Sequence, residues 1–423
     1  DECLPQLIEL AESAKGRRLR GESSAAVVEM VVPMGRKARA DKDLQGNRGP
    51  VISRLSNSVK TFYRHKNQTL VEAFLLASRA SDGELRRMTD QPGKLQSLLI
   101  DTIKGCDHPG ISELLAEFIR RRELPEMLSE TIAQRPGPLF RDALLRVIGH
   151  EPPVTVYRNL TAMGVPASCK GGEETIVETT PDYRAALIRL HVAASGDKIG
   201  MLHMIAEALE RSGPGVVKAA TFAFQRCEVP SLDFWLRASG PVADGDSEAI
   251  ARHSGARLLN RLINLLDHEN DNLVRSIRRV LGPLHAESML SRFASLKPES
   301  RERLGKVVML VDSDAIQHIR DCLRHPVLDR RLEAIAATNA MAVVDLMSDA
   351  LSHIALQDHQ EARMRAAEAL RYARGESTLK TLQSLTAMPP SPIRDIAEES
   401  LRIRNERSGN SQIAPSDFAG TPK

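Results

Sequence analysis

Apolar residues recur along nearly the whole chain at intervals of three and four. Residues 343 to 355 place Val343, Val344, Leu346, Met347, Ala350, Leu351, Ile354 and Ala355 near one face. Residues 258 to 266 do the same with Leu258, Leu259, Leu262, Ile263, Leu265 and Leu266. These spacings are those of an amphipathic α-helix, and the pattern predicts helices of about 10 to 16 residues. His325-Pro326, Gly282-Pro283, Lys297-Pro298 and Met388-Pro389-Pro390 fall between periodic segments and stop them. Strand patterns are scarce. Thr175 to Thr180 (TIVETT) is the best candidate, and it sits in an expected loop.

The helices repeat. An Arg opens a helix at Arg275 (RSIRRVL), Arg303 (RLGKVVML), Arg331 (RLEAIAAT), Arg365 (RAAEALRY) and Arg394 (RDIAEESL), at intervals of 28, 28, 34 and 29 residues. A second amphipathic helix and a short turn precede each one. Two helices per unit of about 30 residues describe an αα-solenoid, an all-α superhelix in which each unit packs on its neighbours.

The best copies are EARMRAAEALRYA (361 to 373) and SPIRDIAEESL (391 to 401), with DNLVRSIRRVL (271 to 281) as a charged variant. They resemble HEAT repeats, particularly the short bacterial kind seen in phycobilisome-lyase-like arrays. The resemblance covers about 255 to 404, is looser over 182 to 239, and is only general over 1 to 163. It implies a protein-binding scaffold. In such arrays a repeated Arg commonly forms an internal ladder, so Arg275, Arg303, Arg331, Arg365 and Arg394 are expected to be structural. A concave, acid-binding row is the competing reading.

The expected organisation is a degenerate sub-array over 1–163, an irregular hinge over 164–181, a regular array over 182–406, and a disordered tail over 407–423. Stacked units make a narrow continuous core, stabilised at roughly 25 cal/mol per Å² of apolar surface buried. Small residues at helix crossings let backbones approach. This accounts for an aromatic content of only 3% in 423 residues. No uncharged run reaches the roughly 18 residues needed to span a bilayer.

Charge modifies the picture in one region. The net charge is +3, from 58 basic and 55 acidic residues. Residues 15 to 66 hold 13 Lys/Arg against four Asp/Glu, an excess of +9, which leaves −6 elsewhere. Arg17, Arg18, Arg20, Arg36, Lys37 and Arg39 are the candidate contacts if this segment binds nucleic acid or another polyanion, with salt-dependent, sequence-blind affinity. A solvated helix face is the plainer reading, since only Phe62 and Tyr63 are interleaved and no nucleic-acid motif is present.

Candidate chemistry is sparse. The five cysteines (Cys3, Cys106, Cys169, Cys227, Cys322) are widely spaced without a CxxC pair, so free thiols in a reducing cytoplasm are expected. His318, Cys322 and His325 follow i, i+4, i+7 spacing with Asp314 one turn earlier, a pattern that a zinc or iron ion would use. Cys322 also falls beside Ile316, Ile319 and Leu323, where a small core residue belongs. His150-Glu151 and His268-Glu269 are similar to the pairs of HEAT-like di-iron hydroxylases, which need four. HEAT-like DNA glycosylases need an aromatic cleft and a catalytic acid, toward which this chain offers the lone Trp235, which makes no cleft by itself, and its neighbour Asp233. Cys169-Lys170 pairs a thiol with a cation, and Ser212 to Gly215 is a turn able to present backbone N–H groups to an anion. There is no GxSxG, GxxxxGK[ST] or HExxH.

A non-enzymatic scaffold without cofactor, binding another protein, is therefore the expectation. Polyanion binding through the basic segment is the first alternative, and a metal-dependent or base-processing HEAT enzyme the second. The chain opens at Asp1 and enters an apolar pattern at once, and no signal peptide is visible. It is expected to be a piece of a longer product.

Overall fold

The computed structural model describes residues 3–40, 48–149, 151–211, 214–238 and 247–410, without the side chains of 247–253, 299 and 407–410. Among these residues the chain forms 26 α-helices and four short 3-10 segments, and no strand. Two compact units divide between Arg226 and Cys227. Each is built from helix pairs joined by short turns, which makes chain neighbours pack against one another. The fold is all-α, an array of αα pairs.

In the first unit the Arg17–Ala40 helix packs between Leu4–Ser13 and Gln68–Ala77, and further on Pro109–Phe118 packs with Pro138–Ile148, and Pro181–Ala194 with Pro214–Arg226. In the second, Ala315–Leu323 pairs with Leu328–Ala340, Ser348–Gln357 with Gln360–Leu370, and Glu376–Thr386 with Pro392–Asn410. The second member of each pair also packs on the second member of the next, giving two layers of helices. Leu351, Ala355, Ala366, Ala367 and Leu370 are fully buried in the seam.

A glycine marks a close crossing in each unit. At Gly35 a Cβ would overlap the carbonyl oxygen of Leu76, and at Gly305 the carbonyl oxygen of Ala340. Any side chain there would force two helices apart, so glycine is retained despite its poor helix propensity.

Several local expectations change. Thr175 to Thr180 is not a strand. A 3-10 turn (Ala167–Cys169) is followed by the Glu173–Glu178 helix. A run of three β-branched residues has no strand to pair with in a helical array, whereas two acidic residues in the first turn favour a helix. The expected irregular hinge therefore holds ordered helical turns. The continuous apolar pattern of 343 to 355 is interrupted: a 3-10 segment, Val344–Met347, leads into the Ser348–Gln357 helix and leaves Leu346 exposed. Pro298 opens a helix instead of only ending one, its fixed φ suiting the first turn. Residues 407–410, assigned to a tail, extend the Pro392–Asn410 helix, and 411–423 lie outside the described residues.

Candidate binding groove

The basic segment is dismantled by its own neighbours. All six candidate residues lie on the 24-residue Arg17–Ala40 helix. Arg39 is nearly buried. It donates to the carbonyls of Leu76 and Ser78 at 3.0 Å each and pairs with Glu113 at 3.4 Å. Burial pushes its pKa down, while Glu113 and Glu117 oppose the shift. Arg20 donates to the His65 carbonyl, and Arg18 pairs with Glu22. Beyond these six, Arg48 forks onto Asp82 at 2.6 and 2.8 Å, Arg54 meets Glu12 and Lys60 meets Glu84. The acids that neutralise the segment thus come largely from outside it. Arg17 and Arg18 at one end and Arg36 and Lys37 at the other stay exposed, but about 28 Å of helix separates them. They do not make one patch.

The expected arginine ladder is kept at Arg331 and displaced by two residues at two other positions. Arg275 donates to the Asp271 carbonyl and the Asn272 side chain of its own first turn, Arg365 meets Glu368, and Arg394 meets Glu398. Arg303 is exposed near the start of its helix. Of the five, Arg331 bridges helix pairs. It forks onto Asp358 at 2.7 Å twice and donates to the carbonyls of His325 and Pro326. Burial opposes the shift, but hydrogen bonds from Arg331 and the His359 N–H hold the Asp358 carboxyl below its ordinary pKa. The residues that share this role are Arg301, donating to Ala294 and Leu296 carbonyls, and Arg363, donating to the Ala355 carbonyl. Each is the fourth residue of its helix (Pro298–Val311, Leu328–Ala340, Gln360–Leu370), placed to reach carbonyls at or just past the end of the preceding helix. Arg301-Glu302-Arg303 and Arg363-Met364-Arg365 each offer two arginines. Counting from the helix start, rather than from the apolar motif, selects the right one.

The enzymatic candidates do not assemble. Among the described residues no three His, Cys, Asp or Glu side chains come together to hold a metal. His325 lies past the end of the Ala315–Leu323 helix, and its Nδ1 accepts from the Val327 N–H at 3.1 Å. Cys322 is half-buried, and burial pushes its thiol pKa up. Trp235 is fully buried and lines no cleft, with Asp233 exposed beside it. His268 Nδ1 accepts from the Asn270 N–H, and His150 lies outside the described residues. So do Ser212 and Gly213. Cys169 is buried, its thiol pushed up to about 11 by that burial, so Lys170 does not activate it.

What the second unit does hold is an open groove of about 1100 Å³ along the Leu328–Ala340 and Gln360–Leu370 helices. Leu332, Ile335, Ala336, Ala340 and Val344 give it apolar stretches. Its walls are charged. Arg365, Glu368 and Arg371 form a linked row, and Arg371 stacks on Tyr372 at 4.8 Å. Asp345, at the far end, accepts from the Arg374 N–H at 2.7 Å. Ala342 turns the chain there with a φ of 56°, a left-handed conformation that stores strain in a residue bearing a Cβ. Sequence reasoning missed the groove because its residues run from 294 to 374 across several helices.

No family model and no curated protein matches the chain. Among solved structures it is similar to importin beta (14% identity, TM-score 0.27, covering 99% of this chain and 56% of that one). It is also similar to Kap121p (10%, TM-score 0.25, 97% and 47%) and to Kap95p in a structure with RanGDP (11%, TM-score 0.23, 95% and 55%). The chain spans about half the length of these proteins. Overlaps this slight add nothing about function, and the fold rests on the helix pairing described above.

Proposed function

We propose that the chain is a non-enzymatic helical-repeat scaffold that holds a segment of another protein in the groove of its second unit. The carrying observation is the groove itself: apolar stretches under walls of exposed, mutually ordered charge, on helices fixed by the Arg301, Arg331 and Arg363 caps. Repeat arrays present extended surfaces of this kind. No helix of the described residues is long and apolar enough to cross a membrane, and a cytoplasmic setting suits the free cysteines. The copies at 361–373 and 391–401 support placing the repeats with the short, phycobilisome-lyase-like HEAT units.

The test is site-directed photo-crosslinking in the source cell. A benzophenone amino acid at Arg365, on the groove wall, should capture a discrete set of proteins. The same group at His353, exposed on the neighbouring Ser348–Gln357 helix and outside the groove, should not. Equal capture from both positions would contradict the assignment.

A further inference from the structure

The groove has two unlike ends. Its two main helices pack side by side, and Arg331, near the start of one, reaches Asp358 just before the start of the other, so their N-termini lie together. Asp329 and Glu361 are each the second residue of their helices, and both line the groove. Neither carboxylate makes a hydrogen bond or ion pair in the structure, and both are exposed. At the other end stand Arg374, exposed and with no partner for its guanidinium, and Tyr372. The remaining charges along the groove already have partners: Glu302 pairs with Lys306, Glu333 with Arg330, and Glu368 with Arg365 and Arg371, while Arg301 donates to the Ala294 and Leu296 carbonyls and Asp345, beside Arg374, accepts from its backbone N–H. The open charge is therefore segregated, two acids at one end and a base at the other, with the apolar stretches between.

We infer that the groove takes an extended peptide segment of ordered charge, with basic residues against Asp329 and Glu361, small apolar side chains in the middle, and an acidic residue against Arg374. This rests on the groove being the binding surface. From Glu361 to the end of its helix at Leu370 is about 14 Å, which an extended chain spans in about four residues, and Arg374 stands in the turn beyond. The volume slightly exceeds that of ordinary small-ligand pockets, as a short peptide requires. The groove selects by matching charge at both ends, and a segment with the same residues in mixed order leaves one end repelled or unpaired.

Two fluorescent peptides of identical composition, KKSLASLGEE and KESLASLGKE, separate the readings by anisotropy with the full chain. The first should bind about tenfold more tightly, and the preference should fall as salt is raised. Asp329→Asn with Glu361→Gln should remove the preference, and Asp329→Lys with Glu361→Lys should transfer it to EESLASLGEE. These exposed positions leave the fold intact, which circular dichroism of the variants checks. Equal affinity for both peptides, or a preference untouched by the charge reversal, overturns the inference. So does loss of all peptide binding to a self-associated species that the same variants disperse, since the occupant is then a second copy. Capture of proteins from Arg365 alongside indifference to peptide charge order would leave the groove as the binding surface and reject only the ordered charge.

Discussion

The two units use charge in opposite ways. Among the described residues the first unit buries Arg135, Arg141, Arg184, Arg189, His191, His203 and Glu207, while the buried polar residues of the second are only Ser276, Thr338, Thr378, Thr381 and Ser400. In the first, guanidinium groups act as internal braces. Arg135, 7% exposed, ties the Ile103 and Cys106 carbonyls, and Arg141 ties both the carboxylate and the carbonyl of Glu178. In the second, arginines cap helix ends from the rim, and exposed charged side chains line a groove. The lesson is that a local charge excess says little about binding. What matters is which charges remain without partners after the helices have packed.

That contrast breaks most visibly through the core, where the units should behave alike. Leu351→Ala, at a fully buried position, should lower stability by about 2–5 kcal/mol in a denaturant melt. A loss under about 1 kcal/mol would show that the seam is not packed as described. Next come the braces. Arg135→Met should cost about 2–4 kcal/mol, because buried carbonyls lose charged donors. Arg365→Met, on the groove wall with a side chain 63% exposed, should change stability by less than about 0.5 kcal/mol. Similar losses from both would erase the distinction between the units.

Acid should also separate them. Burial lowers the pKa of His191 to about 4, against a hydrogen bond to the Cys169 carbonyl. Above pH ~6.5 this histidine is neutral both folded and unfolded. Below that value the unfolded chain takes the proton first, so stability falls by up to about 3 kcal/mol as pH drops toward 4. In the second unit Asp358 has a depressed pKa, so its contribution is full above the ordinary aspartate pKa near ~3.9 and fades only as pH falls below it. Hydrogen exchange at pH 7 and pH 5 should show loosening around 181–194 and little change around 328–370. His191→Gln should flatten the first response. A smaller effect is expected at the two close crossings. Gly35→Ala and Gly305→Ala should each cost about 1–3 kcal/mol, felt in the unit that carries the substitution.

The helical period and the αα repeat were legible in the sequence because each depends on neighbours three, four or about thirty residues away. Leu351, Ile354 and Leu258 fall in the core where the spacing puts them. Interactions set by packing were not legible. Arg39 finds its carboxylate 74 residues along the chain, so the basic segment looked unpaired. Arg301 and Arg303, two residues apart, point to nearly opposite sides of one helix, and the choice between them depends on where that helix begins. TIVETT reads as a strand only while its lack of a pairing partner is out of sight. The groove needed the whole stack of helices before its two ends could be recognised.

Carboxyl footprinting with mass spectrometry tests the central contrast most directly, since it reads whether each acid is already partnered. Glycine ethyl ester coupling should modify Asp329 and Glu361 fast, and Asp82, Glu84 and Glu113, held by Arg48, Lys60 and Arg39, slowly. Comparable rates across the five would mean that the basic segment is not neutralised by the helices packed around it, and would contradict the account.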